Sequence, residues 1–513
     1  MTTFISRQMS CALLVFCFST AIISQAKTTF KTLVSFDGTN GLAPGGTLVQ
    51  GTDGNLYGTT SGGGKNGGGT VFKMTTAGKV TTLYSFCSKA KCADGNSPEA
   101  GLLLATNGNF YGTTKFGGVG PCVIGTATGC GTIFKITPEG KLTTLYTFCK
   151  EGGECSDGAE PEAPLIEGTN GDLYGTTFYG GNSNGAGTLF EITPAGELTT
   201  LYTFCSKAGQ NCPDGSNPNG AILGTDGNLY VTTQGGGGVS SSSAKNLKDC
   251  GGIADFFAAP YYGIRRLLYD FCKAYGPAES VGVFYQFFPE KALSEPQSQT
   301  LTFYGAASGG GINAAGAIYS LTSGKNLTVV YDFCSKAKCA DGAYPVAGVI
   351  EGTDGNFYGT TAGGNGNSKC PSLNGCGTVF ELTPGGKLTT LHSFAGSDGE
   401  NPRSTLVQAT NGIFYGTTFF GRASGDGSIF SLSTGLGPFV RTVPTMGAVG
   451  STVMILGTDL TGASAVSFNG KAAAYKVVSA TEITATVPSD ATTGTIEVTT
   501  PGGKLESWPF QVL

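Results

Sequence analysis

One histidine, one tryptophan and five methionines stand in a chain of 513 residues, and only 13% of it is charged. A typical soluble domain carries about 25% charge. The lone imidazole, His392, has no second histidine to share a proton relay or a zinc ion, so no metal and no Ser-His-Asp triad is expected. It occupies a slot filled by Tyr84, Tyr146, Tyr202, Tyr269 and Tyr331 in other copies of a repeat, and reads as a substitution on an outer strand. The net charge is only −5 and no basic patch is present, which argues against nucleic acid. After residue 26 no apolar run approaches the roughly 20 residues a spanning helix needs. Helical periodicity is missing throughout.

Glycine is abundant instead, 85 residues, where average usage is about 7%. Low charge and high glycine suit short strands joined by tight turns. Residues 1–26 have the pattern of a signal peptide: Arg7, an apolar run from Cys11 to Ile23, and a small residue at Ala26. The mature chain then keeps 14 of the 16 cysteines, an even number that suits an exported, disulfide-bonded protein. Cys87/Cys92, Cys149/Cys155, Cys205/Cys212 and Cys334/Cys339 recur at one place in the repeat, and Cys122/Cys130 and Cys370/Cys376 at another. Cys250 and Cys272 are left over and are expected to pair with each other.

Self-similarity is the strongest signal. The phrase Asp53-Gly54-Asn55-Leu56-Tyr57-Gly58-Thr59-Thr60 returns around Tyr111, Tyr174, Tyr230, Tyr358 and Tyr415, with a worn copy at Tyr304. In the first copy four β-type runs are legible: Thr47 to Gly51 (a), Asn55 to Thr60 (b), Thr70 to Thr75 (c) and Lys79 to Phe86 (d). Asp-Gly or Asn-Gly joins a to b and Thr-Pro-x-Gly joins c to d, both hairpin chemistry. Seven such copies predict an all-β fold, a seven-bladed β-propeller of four-stranded repeats over residues 27–436. The seventh copy has no d run, but Thr29 to Phe36 matches Val80 to Phe86, so the N-terminal strand is expected to close the ring. Blades four and five depart most, with a Gly/Ser loop at Gln234 to Lys248 and Val281 to Phe288 in place of the usual strand a. From Gly437 the repeat stops. Val453-x-Ile455, Val466 to Gly470, Ile483 to Pro488 and Thr500 to Gly503 alternate apolar and polar residues, as in a small Ig-like β-sandwich over 437–513.

Two resemblances follow. Asn55 to Thr60, Gly69 to Lys73 and Thr82 to Phe86 resemble the GloVer tandem repeat of exported "choice-of-anchor" bacterial proteins, over roughly residues 28–435. That resemblance implies an exported or surface location and no particular activity. It departs at the C-terminus, where no membrane or sorting anchor is legible. The segment Val453 to Phe510 is similar to IPT/TIG domains, which act as spacers or interaction modules.

Binding is expected on the face that carries the long b–c loops and the stapled d–a loops, since long loops on a regular scaffold are where recognition concentrates. Each d–a loop repeats Asp-Gly-x-x-Pro, at Asp94, Asp157, Asp214, Asp341 and Asp398, with Asp37 in a looser copy. A ring of carboxylates would suit sugar hydroxyls or calcium; turn chemistry is the plainer account, with Asp bonding its own backbone. Phe256, Phe257, Tyr261 and Tyr262 break the repeat and are candidates for a ligand platform. The reading is a non-enzymatic extracellular binding or adhesion protein, its partner a glycan or a surface protein, with no catalytic residue and no cofactor other than an optional calcium. The alternative is a secreted carbohydrate-active lyase or hydrolase using acidic residues at the propeller centre. Glu160, Glu162, Glu167 and Glu400 are available for such a pair.

Overall fold

The computed structural model describes residues 28–513 apart from 125–126, 154, 207–211, 213, 237–251, 258–263, 271–284, 288–301, 323–325, 371–372 and 422–424. The signal-peptide segment, Cys250, Cys272, Tyr261 and Tyr262 lie outside the described residues. The chain is all-β, and helical geometry among the described residues appears only in short turns such as Ala90–Cys92.

Seven four-stranded antiparallel sheets follow one another, the first six with their strands a to d in sequence order. Sheet 1 is Val49–Gln50, Leu56–Thr60, Thr70–Met74 and Val80–Ser85. Sheets 2 and 3 repeat this plan with b strands Phe110–Thr114 and Leu173–Thr177. In sheet 4 strand a lengthens to Ser216–Leu223, and Gly252–Phe257 and Ile264–Asp270 serve as c and d. Sheet 5 opens with Tyr285–Phe287, inside the run read as its first strand, and sheet 6 has Phe357–Thr361 as strand b. Sheet 7 takes strands a to c from Val407–Gln408, Phe414–Thr418 and Ser428–Ser433. Its fourth strand is Thr29–Ser35, paired antiparallel from Thr29↔Ser433 to Ser35↔Ser428.

The repeated phrase can be read residue by residue. Tyr57 is buried and stacks on Phe110 of the next sheet, with ring centroids 4.1 Å apart. Tyr230 on Phe303, Tyr304 on Phe357 and Tyr358 on Phe414 repeat the contact at 4.2–4.5 Å. The glycine after the tyrosine makes room for the strand c ring beside it: a Cβ on Gly58 would stand 2.6 Å from Phe72. The second threonine ties strands b and c, as in Thr60 Oγ1···Thr70 Oγ1 at 2.8 Å and Thr114 Oγ1···Thr132 Oγ1 at 2.8 Å. Strand c is preceded by a left-handed glycine; at Gly69 φ is +91° and a Cβ would sit 2.3 Å from the Thr60 carbonyl oxygen.

Packing is cyclic. Sheet 1 packs on sheet 2 through Tyr57, Phe86, Phe110 and Phe134, and sheet 2 on sheet 3 through Ile133, Phe148, Leu173 and Phe190. The same kind of cluster joins 3 to 4, 4 to 5, 5 to 6 and 6 to 7. A seventh joins 7 back to 1, with Val34, Phe36 and Tyr415 against Leu48, Leu56 and Phe72.

Residues after 437 form two facing four-stranded sheets. Between them lies a core of Val453, Ile455, Val466, Phe468, Ile483, Ile496, Val498 and Phe510. This sandwich sits on the a–b turns. The Thr481 hydroxyl donates to the Thr52 carbonyl of sheet 1 at 2.6 Å, and Thr458 bonds Thr410 of sheet 7 at 3.1 Å. Gln511 Nε2 donates to the Thr225 carbonyl of sheet 4 at 2.7 Å. Sheets 1 and 7 are neighbours and sheet 4 is across the cycle, so the sandwich spans that face.

Candidate functional site

Among the described residues nothing of the sandwich reaches the opposite face. There the d–a and b–c loops meet, shown by backbone bridges Leu42↔Gly62, Asn96↔Phe116, Ala159↔Tyr179, Ala343↔Gly363 and Glu400↔Phe420. Among the described residues six disulfides staple these loops: Cys87–Cys92, Cys122–Cys130, Cys149–Cys155, Cys205–Cys212, Cys334–Cys339 and Cys370–Cys376. All six are pairs the spacing anticipates.

The repeated aspartates turn inward to their own loops. Asp94 is fully buried and accepts from the Tyr84 hydroxyl (2.8 Å), Ser88 N–H (2.9 Å), Ser88 Oγ (2.8 Å) and Lys89 N–H (3.1 Å). Burial pushes its pKa up, but these donors outweigh it and hold the carboxyl below its usual range. Asp157 accepts from Tyr146 and Cys149 N–H, Asp214 from Tyr202 and Ser206, and Asp341 from Tyr331, Ser335 and Lys336. In sheet 6 the tyrosine is replaced: His392 Nε2 meets Asp398 Oδ2 at 2.9 Å while its ring stacks on Phe30 at 3.5 Å. The histidine thus substitutes for the tyrosine of an Asp–Tyr pair. Phe256 and Phe257 lie on strand c of sheet 4, opposite Leu229 and Asn228.

Charge collects elsewhere on this face, at two slots where the copies differ. The first slot follows the loop proline. It holds Gly45, Glu99, Glu162, Asn219, Val346 and Arg403 in sheets 1, 2, 3, 4, 6 and 7. The second follows strand b and holds Lys115 in sheet 2 and Phe178 and Phe419 in sheets 3 and 7. Lys115 Nζ lies 2.7 Å from Glu162 and 3.7 Å from Glu99. Burial raises the Glu99 pKa against the pull of Lys115, and the Glu162 charge adds to the rise. Glu160, almost fully buried, is raised by burial and by Glu162 and Glu99, again opposed by Lys115. Lys115 loses some basicity to burial but gains more from its carboxylate neighbours, so it holds its proton firmly. Across sheet 1, Arg403 Nε donates to Asn401 at 2.5 Å and its guanidinium lies 4.8 Å from the Phe419 ring. Burial lowers its pKa and the Glu99 charge raises it. Gly45 marks the meeting point, since a Cβ there would stand 3.6 Å from Phe419 and 3.7 Å from the Glu99 carbonyl oxygen.

Aromatic rings flank this cluster. Phe116, Tyr179 and Phe420 occupy one position, the bridge to the d–a loop, in sheets 2, 3 and 7, whereas sheets 1 and 6 have Gly62 and Gly363 there. Tyr179 is 43% exposed and Phe420 42%, where the tyrosines of strand b are nearly all below 3%. Each stands edge-on to a neighbour, Phe178–Tyr179 at 4.8 Å and Phe419–Phe420 at 4.7 Å. Rings and charges together occupy an arc of sheets 7, 1, 2 and 3. Of the carboxylates singled out in the sequence, Glu160 and Glu162 are in this cluster. Glu400 bridges to Phe420, and Glu167 binds Thr106 on the turn side, 2.6 Å from its hydroxyl. Glu99, Lys115, Arg403, Tyr179 and Phe420 were not anticipated; their signal was divergence at a fixed slot within two residues of the recurring loop proline or strand b threonine.

The model of a Gloeobacter/Verrucomicrobia repeat matches residues 19–244 and 277–476. No curated protein matches the chain. Among solved structures, a fungal alcohol oxidase of the AA5 family in complex with copper is similar at 12% identity and TM-score 0.48, covering 94% of this chain and 99% of that one. PorZ, a surface component of the type-IX secretion system of Porphyromonas gingivalis, is similar at 14% identity and TM-score 0.42, covering 94% of this chain and 60% of that one. An auxiliary nutrient binding protein of Bacteroides ovatus is similar at 10% identity and TM-score 0.41, covering 79% and 76%.

Proposed function

The chain belongs to the Gloeobacter/Verrucomicrobia repeat family, and from that premise we propose that it is an exported, non-enzymatic glycan-binding protein. Its seven sheets are read as the blades of a closed β-propeller, and its C-terminal sandwich as an Ig-like IPT/TIG module. Six disulfides, and the lack among the described residues of a helix long and apolar enough to cross a membrane, are consistent with an extracellular protein.

The observation that carries the reading is the pair of exposed rings, Tyr179 and Phe420, flanking the Lys115 carboxylate cluster on the face the sandwich leaves free. Exposed aromatic surface on a stapled scaffold marks a binding site. The C–H face of a pyranose stacks on such rings, and its hydroxyls bond carboxylates, lysine and arginine. Preformed loops lower the ordering cost of binding. The aspartates Asp94, Asp157, Asp214, Asp341 and Asp398 then hold the loops in shape.

A glycan array of the mature chain, with and without calcium, tests this. Tyr179→Ala, Phe420→Ala and Lys115→Ala should each weaken binding, while Phe256→Ala/Phe257→Ala and Asp94→Asn retain it. No glycan bound by the wild type, or loss confined to the last two variants, would overturn the assignment.

The raised pKa values of Glu99 and Glu160 beside a Lys115-paired Glu162 favour one second reading, a carbohydrate-active enzyme. A carboxyl that burial makes a weaker acid, beside a carboxylate paired to lysine, supplies the two parts of acid-base glycoside cleavage. New reducing ends released from a bound polysaccharide, abolished in Glu162→Gln, would establish it.

A further inference from the structure

The two kinds of staple coincide in one sheet. Cysteine follows the phenylalanine after strand d in sheets 1, 2, 3 and 5, at Cys87, Cys149, Cys205 and Cys334. Cysteine precedes the left-handed glycine of strand c in sheets 2 and 6, at Cys130 and Cys376. The two slots are adjacent in other copies too. In sheet 1 a Cβ at Gly68, the slot of Cys130, would stand 2.6 Å from Cys87 Sγ. In sheet 6 the slot of Cys149 is Ala395, and a Cβ at the next residue, Gly396, would lie 3.6 Å from Cys370 Sγ and 3.9 Å from Cys376 Sγ. By sequence sheet 4 also has cysteine in both slots, Cys250 and Cys272, which lie outside the described residues; among the described residues sheet 2 alone brings two disulfides together. There the sulfurs of Cys122, Cys130, Cys149 and Cys155 all lie within 4.8 Å of one another.

We propose that, once reduced, Cys122, Cys130, Cys149 and Cys155 form a tetrathiolate site for one zinc-class ion, so that sheet 2 is stapled by disulfides in an oxidising medium and by metal in a reducing one. A tetrahedral site with Zn–S of about 2.3 Å places its sulfurs about 3.8 Å apart. The bonded pairs would therefore open and the unbonded pairs close by no more than about 1–2 Å. Cys130 and Cys149 are buried and Cys122 and Cys155 half-buried, so the ion would be largely screened from water. The Cys122 N–H already points at Cys130 Sγ, 3.3 Å away, in the manner that stabilises a thiolate. A cavity of about 610 Å³, lined by Thr144, Tyr146, Cys149, Lys150 and Glu151, opens onto one of the two disulfides and gives a reductant access. The lack of histidine, which argued against zinc from the sequence, does not bear on an all-cysteine site.

The chemistry balances with a dithiol as reductant. One thiolate of the dithiol attacks a cysteine sulfur, and its second thiol resolves the mixed disulfide and leaves as a cyclic disulfide. Two dithiols convert both cystines to four thiols. Zinc then displaces four protons and binds four thiolates.

The test uses the full chain, oxidised, and reduced by dithiol with zinc present, examined by native mass spectrometry and cobalt substitution. The reduced chain should hold one zinc against a chelator that empties two-thiolate sites, with the spectrum of a tetrahedral cobalt tetrathiolate. Cys370→Ser/Cys376→Ser should keep that ion and Cys122→Ser/Cys155→Ser should lose it, circular dichroism confirming the β fold of both. No retained zinc in the wild type, or equal retention by the two double variants, would overturn the proposal.

Discussion

Asp94→Ala gives the sharpest check on how the stapled loops are held. The carboxylate is fully buried and takes four donors, two hydroxyls and two amides. After truncation the Tyr84 and Ser88 hydroxyls still bond each other at 2.7 Å and reach solvent, so they lose little. The Ser88 and Lys89 amides lose a charged acceptor, at about 1.5 kcal/mol each, for a total of about 3 kcal/mol. Asp37, in the corresponding loop of sheet 7, is exposed and bonds only Thr39 and Asn40; its truncation should cost far less. Hydrogen exchange reads the difference. The amides of Cys87 and Gly95 keep their own acceptors, Gly95 O at 3.2 Å and Cys92 O at 2.9 Å, and report loop opening. They should exchange roughly 100-fold faster in Asp94→Ala, whereas the Gly38 amide of the Asp37 loop, bonded to Gly41 O at 3.0 Å, should stay within about fivefold of wild type in Asp37→Ala. Equal effects of the two variants, or lost glycan binding in Asp94→Ala with exchange unchanged, would refute the reasoning and return the repeated aspartates to the ligand.

The Asp94, Asp341 and Asp398 carboxyls are held below the ordinary value by their donors, despite burial. Their stabilising contribution is therefore present above about pH 4 and is lost as pH falls through the depressed values; acid unfolding should shift to higher pH when Asp341 becomes Asn. Glu99 and Glu160 run the other way. Their contribution is present below the ordinary carboxylate range and fades as pH rises through their raised values, so Glu99→Gln should stabilise at pH 7, read as a higher denaturant midpoint. Gly69→Ala would force a side chain at φ +91° against the Thr60 carbonyl, and should cost about 2–5 kcal/mol in chemical denaturation. Tyr179→Ala and Phe420→Ala should leave that midpoint within about 0.5 kcal/mol, because neither ring is in the core.

The repeat made the scaffold legible. Tyr57, Gly58 and Thr60 recur because each meets the same kind of neighbour in most sheets, and a pattern of period two shows that without knowledge of the neighbour. The same holds for Thr29 to Phe36, whose likeness to strand d announced the closure of sheet 7. The site escaped for the converse reason. Glu99, Glu162 and Arg403 share a slot with Gly45, Asn219 and Val346, and comparing copies discounts what differs between them. Only the cyclic packing sets Arg403 of sheet 7 near Glu99 of sheet 2, more than 300 positions away along the chain. Phe256 and Phe257 drew notice by breaking the repeat, yet their strand lies in sheet 4, away from the arc.

The strand that completes sheet 7 has a consequence for how the molecule comes into being. Thr29 is among the first residues of the array to be synthesised and its partner Ser433 among the last. Until roughly four hundred residues have followed it, Thr29–Ser35 has no native strand to pair with, and sheet 1 has no sheet 7 to cover Leu48 and Phe72. Contacts this distant in sequence close slowly. A nascent chain is thus an open arc with two raw ends, each able to capture a strand from another molecule. Only arrival of the last segment joins them, so the ring cannot shut early, and the chain remains threadable until its final repeat has been made.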